Sequence, residues 1–206
     1  MPTDRRLKVF QYQTLAEDLL SGLPILDVGA WGFGFAGLLA ARGHRVIAMD
    51  PHPGAIDYRI EGVELIRGAL VGSTPGLRDF VMTENHEGAY VIDGTRGPSG
   101  VIVKIDAFTV EQVMASKGVA LWDAVKTNCE GGEYDIFSHW PGPISRQIVI
   151  NFHEHYRPRG EATIAAIVKH LSQWYVPIQH FKEKGLKYYA PEENYWDSLF
   201  CLKELA

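Results

Sequence analysis

Two groups of residues in this sequence have the types and spacing to do chemistry. The first is Leu26-Asp27-Val28-Gly29-Ala30-Trp31-Gly32-Phe33-Gly34, followed by Asp50. An apolar run ends in an acid and a glycine, and a Gly-rich turn then lets the backbone approach a ligand closely. Asp50 ends the next apolar run, about 20 residues past the glycines. That is the interval at which Rossmann-like folds place an acid on ribose hydroxyls. The second group is Lys126 to Glu133 (Lys-Thr-Asn-Cys-Glu-Gly-Gly-Glu) together with Ile148 to His153 (Ile-Val-Ile-Asn-Phe-His). Glu130 and His153 are its proton-handling candidates: a carboxylate, and an imidazole whose ordinary pKa is near neutral. Glu133 reads either as a companion of Glu130 or as an acid that favours a helix N-terminus.

Two cofactors compete for the first group. Gly32-Phe33-Gly34-Phe35-Ala36-Gly37 formally matches the dinucleotide pattern G-x-G-x-x-G. Its register is poor, because that glycine set should begin at the strand end, and here it begins four residues beyond Val28. Asp27 also opposes a pyrophosphate and suits a cation. S-adenosylmethionine (SAM) carries an amino group, a sulfonium and no phosphate, so the reading favours SAM. His153-Glu154-His155 invites a metal reading, since alternate strand residues point the same way and Glu130 or Glu133 would add a third ligand. The spacing is a weak signal, and no metal is assigned. Cys129 reads as a small buried residue rather than a nucleophile. Trp31, Tyr134, Trp140 and Tyr156 are candidates to line an acceptor pocket, with at least half of them expected in the core or at its rim.

Alternating strand and helix signals position these groups. Thr14 to Leu20 reads as a short helix, within an N-terminal helical extension over 1–23. Pro24 to Val28 and Arg45 to Asp50 read as buried strands around a helix from Phe35 to Arg42, closed by Gly43. Val63 to Val71 is strand-like. Leu77 to Met82 and Ala89 to Ile92 suggest a hairpin, and Gly94 to Gly100 a mobile loop. Val101 to Asp106 is a strand, and Thr109 caps a helix to Lys117. Trp122 to Thr127 and Gln147 to Phe152 are strands, with helices at Gly132 to His139 and Glu161 to Trp174. Two late strands, near Val176 to Phe181 and Trp196 to Leu202, have no crossover helix between them and should pair antiparallel. The expected fold is α/β: a doubly wound, mostly parallel seven-stranded sheet with an antiparallel C-terminal hairpin.

Composition agrees with one folded domain over 1–206, its core spanning 24–202. Apolar residues make up 46% of the 206 and charged residues 22%. The net charge of -5, from 20 basic and 25 acidic residues, argues against a nucleic-acid partner. Cys129 and Cys201 alone make no disulfide scaffold or four-Cys zinc module. The start lacks a signal-peptide core, and Leu19 to Ala41, with Pro24, Asp27 and five glycines, is a poor membrane span. The expected location is cytoplasmic.

With those residues in hand, the chain resembles the FkbM-type family of SAM-dependent methyltransferases, a class I, Rossmann-like group. The opening is similar to that family's Asp-Val-Gly-Ala-Asn-x-Gly, Met49-Asp50-Pro51 to its Phe-Glu-Pro, and Lys126 to Glu133 to its Lys-Ile-Asp-x-Glu-Gly-Ala-Glu. Trp31 stands where that family usually has Asn, Phe33-Gly34 reverses the usual Gly-x, and Asn128 and Asn151 replace Asp and Glu. The resemblance implies methyl transfer from SAM, leaving S-adenosylhomocysteine, to a hydroxyl of a sugar, glycan, glycolipid or natural product. It implies cofactor contacts at Asp27, Gly29, Ala30, Trp31, Gly32, Gly34, Asp50, Pro51, Ala69 and Asn128. Glu130 and His153 would face the acceptor, which is a small molecule or glycan, and a homo-oligomer is possible. Rival readings are an NAD-type oxidoreductase, a SAM-binding domain without turnover, and an N-methyltransferase.

Overall fold

The computed structural model describes the chain except residues 1–5, 12, 53, 55–58, 84–87, 93–99, 154–159, 185–193 and 206, with backbone alone at 160–162, 179–184 and 194–197. Strands β1 (Leu7–Phe10) and β2 (Gln13–Ala16) form an antiparallel hairpin, followed by a 3-10 turn over Glu17–Leu19. This corrects the helix expected from Thr14 to Leu20. A seven-residue helix has too few internal hydrogen bonds to stand alone. Here the side-chain amide of the buried Gln147 takes the Ala16 backbone instead, accepting its N–H at 2.8 Å and donating to its C=O at 3.2 Å. Gln147 therefore stands in for a neighbouring strand, and the N-terminal segment is extended.

The chain then alternates. Strand β3 (Ile25–Val28) leads to helix α1 (Gly34–Ala40) and strand β4 (Val46–Asp50), then to β5 (Val63–Arg67). At Gly68 the chain leaves one sheet for another. Strands β6 (Ala69–Leu70), β7 (Gly76–Met82), β8 (Tyr90–Val91) and β9 (Val101–Phe108) make a separate four-stranded sheet in the order β6-β9-β7-β8. The expected hairpin of Leu77 to Met82 with Ala89 to Ile92 is its β7–β8 pair. The expected loop from Gly94 lies, up to Ser99, outside the described residues. Helix α2 (Val110–Lys117) starts at the Thr109 capping box with Gln112 and stops at Gly118 in the left-handed region. Strand β10 (Ala124–Thr127), helix α3 (Glu133–Ser138), strand β11 (Gln147–His153), helix α4 (Gly160–Leu171) and strands β12 (Tyr175–Lys184) and β13 (Asn194–Leu202) complete the chain.

The main sheet has seven strands in the order β12-β13-β11-β10-β3-β4-β5. β11, β10, β3, β4 and β5 run parallel, and β13 runs antiparallel between β11 and β12. This is the doubly wound sheet with a reversed C-terminal hairpin that the sequence predicts. Its strands carry apolar residues on both faces because both are covered. Leu26, Val28, Ile47, Ile148 and Ile150 pack under α2, α3 and α4, through Val113, Phe137 and Ile167 among others. On the opposite face, Ile25, Val46, Ala48 and Val149 pack under α1 and the β1–β2 hairpin, through Phe35, Leu39, Phe10 and Leu15.

Candidate functional site

The parallel register places the site. Val28, Met49 and Thr127 are level across β4, β3 and β10, and Thr127 is level with Ile150 on β11. One residue further on, Gly29, Asp50, Asn128 and Asn151 therefore start the row at the C-terminal rim. That rim is where open α/β sheets bind ligands.

The β3–β4 corner is made largely of backbone. Gly29 has φ +70, and a Cβ there would stand 1.8 Å from the Asn128 carbonyl oxygen. Only glycine lets the two loops touch. Gly29 N–H donates to Met49 O at 2.9 Å and Ala30 N–H at 3.4 Å. Ala30 is buried, Gly32 has φ +73 and Phe33 has φ +51. Phe33 is buried and anchors the turn, while a Cβ at Gly34 would meet the Gln11 side-chain oxygen at 2.6 Å. This explains the reversed Phe33-Gly34: the aromatic fills the core and the glycine admits Gln11.

Asp50 ends β4, is 5% exposed and accepts the His52 N–H at 2.8 Å. Burial pushes its carboxyl up to about 6, against the pull of the His52 amide and of Lys126. Trp31 lies edge-on to His52, with ring centroids 4.6 Å apart. Gly68 N–H donates to Asp50 O at 3.2 Å, and the next residue, Ala69, is buried in the small sheet. The Oδ1 atom of Asn128 is buried and has no hydrogen-bond partner.

Asp27 lies one residue below the rim and already has its cation. It is level with Lys126 on β10, and Lys126 Nζ stands 2.8 Å from Asp27 Oδ1. The contact is ionic rather than an aligned hydrogen bond; the aligned bond of Lys126 goes to Gly29 O at 3.1 Å. The pair is buried, with the ammonium 5.8 Å from the Phe35 ring centroid.

The β10–β11 corner is made of charged side chains. Glu130 adopts φ +54, ahead of Gly131 at φ +103. Such a backbone at a residue with a Cβ costs on the order of 1 kcal/mol and is found where the surroundings enforce it. Glu130 Oε1 lies 3.3 Å from His153 Nε2. Glu133 Oε1 accepts the His153 backbone N–H at 2.7 Å and lies 2.8 Å from Nδ1, while Oε2 accepts Gly131 N–H at 3.0 Å. His153 is 1% exposed and Glu133 0%. Burial alone would lower the imidazole pKa, but Glu133 and then Glu130 outweigh it and hold it up at about 10. Where the sequence suggests a near-neutral His153, two flanking carboxylates favour its protonated form. Glu133, left undecided by the sequence, is the buried hub of the cluster. Its signal was the Glu-x-x-Glu spacing ahead of a strand ending in His.

Two of the four aromatics expected as candidates for an acceptor pocket lie in the core. Tyr134 packs tilted on Phe152 at 5.8 Å, and Trp140 on Phe137 at 5.1 Å, both within the core. Burial and Glu133 push the Cys129 thiol well up, as fits a packed residue rather than a nucleophile. Glu154, His155 and Tyr156 lie outside the described residues. Among the described residues no cluster of three His, Cys, Asp or Glu has metal-binding geometry, and no helix is long and apolar enough to cross a membrane. Sequence reasoning also passed over Asp123, a buried carboxylate that accepts the Ser21, Gly22 and Leu23 N–H groups at 2.7–2.9 Å and anchors the entry to β3 far from the rim.

No family model matches the chain, and no curated protein matches it. Several solved structures resemble it. A TehB-like SAM-dependent methyltransferase from Corynebacterium glutamicum is 14% identical with a TM-score of 0.49, over 89% of this chain and 82% of that one. M. jannaschii TYW2 in complex with AdoMet is 16% identical with a TM-score of 0.42, over 87% and 68%. The N-methyltransferase NodS from Bradyrhizobium japonicum, in complex with S-adenosylhomocysteine, is 11% identical with a TM-score of 0.42, over 88% and 78%. Identities this low assign no residue of this chain a role.

Proposed function

We propose that the chain is a SAM-dependent methyltransferase acting on a hydroxyl of a sugar, glycan, glycolipid or natural product, in line with its FkbM-type motifs. The observation that carries the reading is the β3–β4 corner: a glycine cradle closed against Asn128, with a carboxylate at the tip of the next strand. The residues fit SAM. The buried, unpartnered Asn128 Oδ1 offers an acceptor to an ammonium N–H. Asp50 offers its carboxylate to ribose hydroxyls, and the half-buried Trp31 and Pro51 offer apolar surface near it. Asp27, held by Lys126, acts beneath the loop rather than on the ligand. Charge among the described side chains favours SAM over a dinucleotide: there Asp27, Asp50, Glu130 and Glu133 face two buried cations, Lys126 and His153. That excess of acid among the described side chains favours a sulfonium over a pyrophosphate.

SAM would supply an activated methyl group for in-line displacement. The protein's part is to hold the acceptor oxygen in line, exclude water and take a proton. Glu130 takes that role, since its side chain is 25% exposed and reaches the cleft while remaining hydrogen-bonded to His153. His153, already protonated, donates and orients. The test is incubation with methyl-labelled SAM and a panel of sugars, glycolipids and phenolic natural products. Label in an ether product, lost in Glu130→Gln, supports the reading. Bound SAM with no label transferred to any acceptor would make the chain a SAM-binding domain without turnover.

A further inference from the structure

Glu133 takes no direct part in that reaction, yet it is the most enclosed charge of the cluster. Its two oxygens receive three donors: the His153 backbone N–H, His153 Nδ1 and the Gly131 N–H. The opposite ring nitrogen, Nε2, faces Glu130. An ionised carboxylate only accepts, so a ring with a carboxylate at each nitrogen carries a proton on both. His153 is therefore an imidazolium shared unequally between two acids. Glu133 holds it by two contacts of 2.7 and 2.8 Å, and Glu130 by one of 3.3 Å.

We propose that Glu133 is the positioning residue of proton transfer: it neutralises the His153 imidazolium, so that Glu130 keeps the negative charge with which it takes the acceptor's proton. The proposal rests on the reading of Glu130 as the base. Without Glu133, Glu130 would be the one carboxylate among the described residues left to neutralise the buried cation, and its basicity would fall. With Glu133, the three groups carry one net negative charge, and that charge sits on the exposed carboxylate. Glu130 would take the proton of the acceptor O–H as that oxygen accepted the methyl group that bound SAM would supply, the thioether keeping the carbon–sulfur electron pair, and the cluster would be neutral until Glu130 released its proton to solvent. Glu133 also holds the turn that aims Glu130, through its bond to Gly131 N–H.

Among the described side chains, Glu130 from the loop after β10 and Glu133 from α3 face the imidazole, the Cys129 thiol on the β10 side is within electrostatic reach of Glu133, Lys126 and Asp50, and the register partner of His153 on β13 is Tyr195.

The experiment is histidine-labelled NMR titration of the full chain, wild type and two variants, with SAM binding followed separately by calorimetry. The His153 ring signals should stay those of an imidazolium through neutral pH in the wild type. Glu130→Gln should leave it protonated at neutral pH, whereas Glu133→Gln should lower its pKa by at least about one unit more than Glu130→Gln does. The proposal is overturned if wild-type His153 titrates near its ordinary value, if Glu130→Gln alone brings it there, or if Glu133→Gln leaves it unmoved. The wild-type and Glu130→Gln arms decide the matter even if Glu133→Gln does not fold. Failure to bind SAM, with the titrations as expected, would overturn the methyltransferase reading and leave the Glu133–His153 assignment standing.

Discussion

The two corners of the rim are built on opposite plans. At the β3–β4 corner the backbone does the shaping: Gly29 touches Asn128, two amides bond Met49 O, and a single carboxylate stands at the strand tip. That corner keeps a buried acceptor, Asn128 Oδ1, without a partner. At the β10–β11 corner both ring nitrogens of His153 face carboxylates, and Glu133 makes three close contacts. The first corner is open to new hydrogen bonds, which is what a binding site needs. At the second, the imidazole and Glu133 already satisfy each other, which is what a group that must hold a fixed charge needs. The boundary between them is the Asp27–Lys126 pair, which ties β3 to β10 beneath both.

That comparison breaks in measurable ways. The largest effect should come from Lys126→Met, which leaves Asp27 as a buried, uncompensated charge and should cost about 3–5 kcal/mol in chemical denaturation. Adding Asp27→Asn should recover much of that loss, and a double mutant no more stable than Lys126→Met would deny that the two are coupled. Next is Asp50→Asn. The folded-state pKa of Asp50 is raised to about 6, so ionising it opposes folding, and that penalty grows as pH rises from 3.8 through 6. At neutral pH Asp50→Asn should therefore raise stability, by up to about 3 kcal/mol, while SAM affinity drops at least about tenfold. A drop in both would make Asp50 structural. His153 has a folded-state pKa raised to about 10, so its stabilisation is complete below its unfolded value near 6.5 and is lost as pH rises toward 10. Unfolding free energy should fall across that window, and His153→Gln should flatten the slope. The smallest effect is the control Thr109→Ala. It removes the α2 cap for about 1 kcal/mol and should leave SAM affinity unchanged, because the cap lies outside both corners.

Legibility differed between the corners for a physical reason. The β3–β4 corner depends on glycines and strand ends, which short-range pattern reports well, and the positions of Gly29 and Asp50 follow from it. The β10–β11 corner depends on which side chains meet across about 20 residues of chain, and no local pattern states that. Glu130 and His153 were visible as candidates, but the imidazolium was not, because it comes from Glu133 closing on His153 from α3. Asp27 carries the same lesson: its acid type was plain, but its counter-ion came from the parallel pairing with Lys126. The main sheet was readable from alternating apolar runs. The β1–β2 hairpin was not, because Gln147, more than a hundred residues away, holds Ala16 extended. Of the four-stranded sheet only the β7–β8 hairpin was seen as a pairing, because the departure from the main sheet turns at Gly68, a single residue that no periodic pattern marks.

The central claim is that the β3–β4 corner binds SAM. The most direct test is calorimetric titration of the purified chain, and of Asp50→Asn, with SAM, S-adenosylhomocysteine and NADH. The account predicts micromolar-range binding of both adenosyl ligands, weakened in Asp50→Asn, and no binding of NADH. Binding of NADH without SAM, or no adenosyl binding at all, would contradict it.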